Sequence, residues 1–301
     1  MVQPRPLPSP FDAQPFRVRD ALSSGLDPGR LRRRDLQRPV HGVRVGRGYE
    51  GTLVDALSLV LGTDQFFSHS TAARLWGAPL PGREQDRNHV STAGRGPLMR
   101  RPGVTGHRAR ADAPMTTVRG VRCSTPEQAW WECASVLGLR DLVAVGDHLV
   151  GRSALTTIDG LAASIRPGHR HVRVARAAIE LVRVGSESAM ETWFRLALVD
   201  AGFPEPVLNI DVEDPSGTFL GRVDMAWPEY RIAFEYDGDH HRDREVFQHD
   251  QRRDNGFVVN GWLVVHATAL DASRPALVFE RLRQAFAIRR SSPARSSASA
   301  Q

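Results

Sequence analysis

Residues 220–241 read LGRVDMAWPEYRIAFEYDGDHH and hold side chains whose types and spacing suit hydrolytic chemistry. Asp224 lies in one apolar run, Leu220 to Trp227, while Glu235 and Asp237 lie in and just beyond a second, Arg231 to Tyr236. Both runs are rich in Val, Ile, Phe and Trp, and the Pro228–Glu229 step between them predicts a turn, so the segment reads as a β-hairpin. Strand side chains alternate between faces, and a tight turn here sets Asp224 opposite or diagonal to Glu235, with Asp237 on the same face. Two carboxylates about 4 Å apart repel by roughly 4 kcal/mol at an effective dielectric near 20. Such a cluster must bind a cation, share a proton or spread apart. Oxygen donors favour Mg²⁺, Mn²⁺ or Ca²⁺ over Zn²⁺. Asp224 and Glu235, completed by Asp237, are therefore the expected ligands of Mg²⁺ or Mn²⁺, and the chemistry implied is phosphodiester hydrolysis. The competing reading is a solvated hairpin face, which fits poorly with a Glu in an otherwise apolar strand. His240 and His241 follow at once; imidazoles titrate near neutral pH and suit a general base or an electrostatic clamp, although a histidine after a strand is also an ordinary surface residue.

The wider arrangement resembles the PD-(D/E)XK nuclease superfamily, and within it the group similar to very short patch repair (Vsr-like) endonucleases. The matching positions are Glu191 in SESAMETWFRLALVDAG, Asp224 in GRVDMAW, Glu235 and Asp237 in AFEYDG, the His240–His241 pair, and Asp250, Arg253 and Phe257 ahead of Gly261 and Trp262. The resemblance spans roughly residues 186 to 290. It implies an α/β domain with a restriction-endonuclease-like core, in the order helix, three strands, helix, strand. It also implies a catalytic set of Glu191, Asp224, Glu235, Asp237, His240 and His241, with Glu191 positioning the metal through water and Arg253 neutralising phosphate. A helical Glu near an N-terminus is also favoured by the helix dipole alone. Where the superfamily motif carries lysine, this chain has Asp237 after Tyr236, and it contains no lysine anywhere. That departure narrows the resemblance to the Vsr-like group, which replaces the lysine with Asp and His.

The elements that would position these residues can be read locally. Ser186 or Ser188 caps a helix running to about Asp200, ended by Gly202, Pro204 and Pro206. PVLNIDVED reads as a strand, GWLVVHAT as a buried strand, and Arg274 to Arg290 as a final amphipathic helix. Residues 185–290 thus form the nuclease-like domain, and 291–301 a Ser/Ala/Arg tail expected to be disordered.

Ahead of it, residues 1–15 are Pro-rich and expected to be disordered. Residues 16–50 suggest a helix over Phe16 to Ser23, a second over Pro28 to Asp35 carrying Arg30, Arg32, Arg33 and Arg34, and a strand at HGVRVGRG with Arg44. Helix, turn, basic helix and basic strand is the order of a winged helix, and this stretch is similar to the N-terminal segment of AbiE-type (AbiEi) antitoxins. Those five arginines are the expected DNA contacts, joined by Arg253. Residues 51–184 read as a mixed, mainly helical linking domain, so the region before 185 is expected to be mostly α. Its Arg/Gly/His-rich stretch from Gly82 to Arg122 suggests strands or loops, with Ser124 capping the helix that follows. His89 and His107 lie at no recognisable metal spacing and are assigned ordinary roles.

Charge is polarised along the chain. Residues 1–185 hold 27 arginines against 16 acidic side chains, whereas 186–290 hold 12 against 18. A basic front suits phosphate attraction, and an acidic back suits a metal site. The two cysteines form no metal or disulfide framework. No leader pattern or apolar span is seen, so no membrane partner and a cytoplasmic location are expected. The sequence leads to a metal-dependent endonuclease hydrolysing phosphodiester bonds of nucleic acid, with double-stranded DNA as the expected partner and RNA or single strands left open. Its alternative is a non-catalytic DNA-binding regulator or antitoxin of a toxin–antitoxin or defence system, with a toxin or defence protein as partner.

Overall fold

The computed structural model describes residues 6–238 and 253–291. The chain divides into two compact units, one running to Leu137 and including Ala163–Val172, the other made of Gly138–Ala162 and the chain from Arg173 onward. Both units mix helices with sheets, so the fold is α/β.

The first unit opens with β1 (Phe16–Arg17), α1 (Val18–Ser23), a 3-10 turn (Arg30–Arg32), β2 (Leu36–Gln37) and β3 (Val43–Gly46), the strands pairing in the order β1-β3-β2. Phe16, Ala21, Leu31 and Leu36 are buried together, and Leu7 and Phe11, within the stretch expected to be disordered, pack against them. The basic helix expected over Pro28 to Asp35 is not formed. Asp27 Oδ2 accepts from the Arg30 amide at 2.9 Å and starts a single 3-10 turn, after which Arg33 is extended and the chain enters β2. The run lacks an apolar stripe, since Leu31 is its one buried side chain, and a helix with no face to bury gains little from packing.

Next come α2 (Leu53–Ser58), β4 (Gln65–Phe67), α3 (His69–Leu75), α4 (Gly82–Gln85), β5 (Asn88–Ala93), β6 (Val104–Ala109), β7 (Met115–Val118), β8 (Val121–Ser124) and α5 (Pro126–Cys133). The strands make one mixed sheet, β6-β5-β4-β8-β7, over a core containing Leu57, Phe67, Val90, Cys123 and Ala129. A mostly helical N-terminal region is thus corrected to an α/β one, because the Gly82–Arg122 stretch supplies four of the five strands. Thr125, not Ser124, caps α5, its hydroxyl accepting from Gln128 N, while the Ser124 hydroxyl donates to Glu132 at 2.7 Å.

Of the two histidines assigned ordinary surface or core roles, His89 is buried and His107 half-buried. With His69 they form one cluster: the His69 and His107 rings stack with centroids 3.8 Å apart, and His89 Nδ1 lies 2.8 Å from His107 Nε2. Burial holds all three imidazoles below their ordinary range, with His107 brought down to about 4.

The second unit contains α6 (Leu139–Val150), followed by α7 (Ile158–Ser164) and α8 (Val172–Ile179), which run across the unit boundary, and then α9 (Ala189–Asp200), β9 (Val207–Glu213), β10 (Phe219–Trp227) and β11 (Ile232–Asp237). A helix over residues 253–259 (α10), β12 (Leu263–Thr268), α11 (Ala269–Ser273) and α12 (Pro275–Ser291) complete it. From α9 the order is helix, three strands, helix, strand. The sheet reads β12-β11-β10-β9, with β12 parallel to β11 and the other pairs antiparallel.

Strand alternation explains how this sheet is covered. Ile232 and Phe234 of β11 and Val265 and Ala267 of β12 join Phe194, Leu198, Leu282 and Phe286 in the main core. Ala233 and Val264, one residue out of phase, pack with Phe257 of α10 on the opposite face. Each fully buried Phe or Leu contributes about 1.5–3 kcal/mol, so α9, α12 and α10 are held to fixed faces of the sheet. Among the described residues no helix is long and apolar enough to cross a membrane.

Candidate metal centre in the C-terminal unit

The hairpin turns at Pro228–Tyr230 and is closed by Arg231 in the left-handed region, φ 46°. Its register pairs Ala226 with Ala233 and Met225 with Phe234. Continued one step, that register sets Asp224 against Glu235, but the backbone ladder ends there: the Tyr236 amide donates to Asp224 Oδ2 at 2.7 Å in place of a strand carbonyl. Asp224 therefore sits where the two strands part.

Glu235 shares the α10 side of the sheet with Ala233, and the parallel register with β12 places His266 beside it. Its side chain is 7% exposed. Asp237 lies two residues on, on the same face, with Oδ2 3.4 Å from His266 Nδ1. One ligand atom from each of Glu235, Asp237 and His266 lies within 4.8 Å of the others. Arg253, one turn before Phe257 on α10, brings Nη2 directly onto Glu235 Oε2, and Asp254 Oδ2 lies 3.6 Å from His266 Nε2.

Glu191 is the third residue of α9, whose N-cap Ser188 accepts from its amide. Far from being an exposed helical carboxylate, it is buried, and Oε2 accepts from Glu187 N and Asn209 Nδ2, each at 2.8 Å. Its charge acts on Asp224. The structure thus gathers Glu235, Asp237, His266, Arg253 and Asp254 at one point, with Asp224 beside Glu235 and Glu191 held behind. His240, His241 and Asp250 lie outside the described residues.

His266 and Asp254 escaped the sequence reading. The available signal was a polar residue within the apolar run LVVHAT; its proximity to Glu235 depends on parallel pairing across 31 positions, which no local pattern encodes.

Electrostatically the carboxyl groups of the cluster outnumber its one arginine, Arg253. Burial pushes Asp224 up to about 6, with the Glu191 and Asp237 charges adding to the rise and the Tyr236 amide opposing it. Burial likewise raises Glu235, against Arg253. Among the described residues Glu235 Oε1, Arg253 Nε, Asp254 Oδ1 and His266 Nδ1 have no hydrogen-bond partner. A carboxyl group with a raised folded-state pKa binds more protons folded than unfolded, so stability must fall as pH rises through that interval. In EDTA, the stability of the wild type relative to Asp224→Asn is expected to decline between pH 3.8 and about 6, and Mn²⁺ should reverse the decline. Thermal unfolding across that range checks it; a flat or rising difference contradicts it.

The arginines expected to meet DNA separate into two sets. Arg30 is tied to Asp35 at 2.8 Å, and Arg44 donates to Leu31 O and Val43 O, so both brace the fold. Arg32, Arg33 and Arg34 are exposed.

No protein-family model matches the chain. Two curated relatives, "Uncharacterized protein MT2308" from Mycobacterium tuberculosis (strain CDC 1551 / Oshkosh) and "Uncharacterized protein Rv2248" from Mycobacterium tuberculosis (strain ATCC 25618 / H37Rv), are each 32% identical to it over 124 residues. The match spans 41% of this chain and 45% of each relative.

Proposed function

We propose that the C-terminal unit is a metal-dependent endonuclease hydrolysing phosphodiester bonds of DNA, built on a PD-(D/E)XK core of the Vsr-like type. One observation carries the reading: Glu235, buried in an apolar strand, keeps a carboxylate oxygen without a partner among the described residues and faces Asp237 and His266. Arg253 answers one oxygen of Glu235; the other, buried beside the Asp237 carboxylate, is costly to leave unmet unless a cation is placed there. The donor set fits a divalent ion. Its two carboxylates suit Mg²⁺ or Mn²⁺, and the imidazole tilts the choice toward Mn²⁺. Such an ion supplies Lewis-acid polarisation of the scissile phosphate and an activated water.

The chain's own residues do the rest. Glu235 and Asp237 hold the negative charge that recruits the cation, and Asp224 adds to it from the parting of β10 and β11. Glu191, fixed by two donors, sets the field that Asp224 feels. Arg253 orients Glu235 and carries the positive charge a phosphate would meet. His266 offers Nδ1 to the ion beside Asp237, with Asp254 facing its Nε2 and setting the ring's orientation.

The test is nicking of supercoiled plasmid by the purified chain in Mg²⁺, Mn²⁺ and EDTA, beside a gel shift in EDTA. Cleavage in either cation, lost in EDTA, is the expected result. Duplex binding with no cleavage in either cation would replace the enzyme by the DNA-binding regulator or antitoxin, which the exposed Arg32, Arg33 and Arg34 of the basic unit favour.

A further inference from the structure

The geometry points to a second metal site, in the N-terminal unit, where His69, His89 and His107 bind a transition-metal ion of the Zn²⁺ class. It is independent of the C-terminal centre. One ring nitrogen from each histidine lies within 4.8 Å of the others. Three elements bring them together. His89 and Ser91 alternate onto one face of β5, the parallel register of β6 sets His107 beside Ser91, and His69 opens α3 above them.

Two features set this cluster apart from a polar patch of core. His69 is held at φ 52°, a left-handed backbone that costs a non-glycine residue about 1–3 kcal/mol. It is kept there by Glu132, whose Oε2 accepts the His69 amide at 3.0 Å while also receiving the Ser124 hydroxyl. The outer nitrogens are also already taken. His89 Nε2 faces Glu84 Oε2 at 3.2 Å, Glu84 is fixed by the Ser70 hydroxyl at 2.7 Å, and His69 Nδ1 is engaged by the Ser68 hydroxyl at 2.9 Å. Metal-binding histidines are oriented by partners of this kind on the nitrogen away from the ion.

Proton accounting agrees. A neutral imidazole has one N–H, and His89 spends its own on Glu84, leaving Nδ1 bare toward His107. In that tautomer His107 Nε2 donates to His89, and an ion entering there takes the place of this proton once His107 carries it on Nδ1 instead. An all-imidazole set selects Zn²⁺, Co²⁺, Ni²⁺ or Cu²⁺ over Mg²⁺. Glu84, buried beside His89, and Glu132, on the His69 amide, place two carboxyl groups next to the cluster. The His69–His107 stack must open by ring rotation for three lone pairs to meet. A cavity of about 270 Å³, lined by His69, His107, Gln128 and Glu132, provides that room and a way in for a fourth ligand.

The experiment titrates Co²⁺ into metal-stripped full-length protein and reads the visible d–d absorption, with Zn²⁺ as competitor. A Glu235→Gln/Asp237→Asn variant, in which the C-terminal centre is disabled, should retain one Co²⁺ per chain. His107→Gln and His69→Gln should lose it, and Glu84→Gln should weaken it about 10- to 100-fold. Absence of the band from that double variant, or its persistence in both histidine variants, overturns the site. Should the histidine variants not fold, zinc-edge X-ray absorption on the Zn²⁺-loaded double variant decides: three imidazoles around the ion support the site, and an oxygen-only shell overturns it.

Discussion

Glu235→Gln is expected to lower Mn²⁺-dependent nicking by about two to three orders of magnitude, the usual effect of removing a charge aligned with the reacting centre. Glutamine keeps the shape of the side chain and an oxygen that still accepts from Arg253, so the sheet and α10 stay in place. What goes is one unit of negative charge at the point where Asp237 and His266 converge. Because Glu235 is buried and its ionised form disfavoured, the variant should unfold no earlier than the wild type in EDTA. Activity and stability then move independently, which a merely structural glutamate would not produce. The loss should fall on kcat, with affinity for duplex in EDTA changed by less than about threefold, since interactions made only in the transition state act on turnover. Plasmid-nicking rates and gel shifts on the same samples measure both. Equal nicking by the two proteins would remove Glu235 from the reaction.

How far the sequence led varies with the range of the interaction. The β10–β11 hairpin was legible because alternation, a central proline and β-rich composition agree within 18 residues, and the α9 cap was legible to within two serines, Ser186 or Ser188, of which Ser188 is the cap. Local rules failed where residues far apart decide. The Arg30–Arg34 run has helix-forming residues but no apolar face, and the capped turn at Asp27 with the Arg30–Asp35 pair leads it into a strand instead. His69, His89 and His107 belong to a helix and two strands; the parallel pairing of β5 with β6 makes His89 and His107 neighbours, and α3 sets His69 over them. His266 reaches Glu235 by the same device in the other unit. Parallel pairing is the common cause: antiparallel partners follow through a short turn, whereas parallel partners can lie anywhere downstream.

The assignment of residues 138–162 to the C-terminal unit has a similar long-range origin, and it leads to the largest expected loss of stability. Asp147 on α6 and Arg195 on α9 are each 1% exposed and joined by a 2.8 Å contact. Asp147 also accepts from the Thr192 hydroxyl and the Arg183 amide, each at 2.8 Å, and Arg195 donates to Leu181 O at 2.9 Å. Burial alone raises the Asp147 carboxyl, and Arg195 beside it draws it back toward ionisation. Deleting the carboxylate leaves a buried guanidinium with only the half-exposed Glu205, 3.6 Å away, to face its charge. Asp147→Ala should therefore cost about 3–5 kcal/mol in urea denaturation. Asp147→Leu combined with Arg195→Met should recover most of that, because an apolar pair of similar volume avoids desolvating either charge. Thr192 follows Glu191 directly, so loosening α6 from α9 also releases the helix turn that holds Glu191 behind Asp224; nicking by Asp147→Ala should fall even at temperatures where it stays folded. A loss below about 1 kcal/mol for Asp147→Ala, or a double variant no more stable than the single, would show that this pair does not hold α6 to α9.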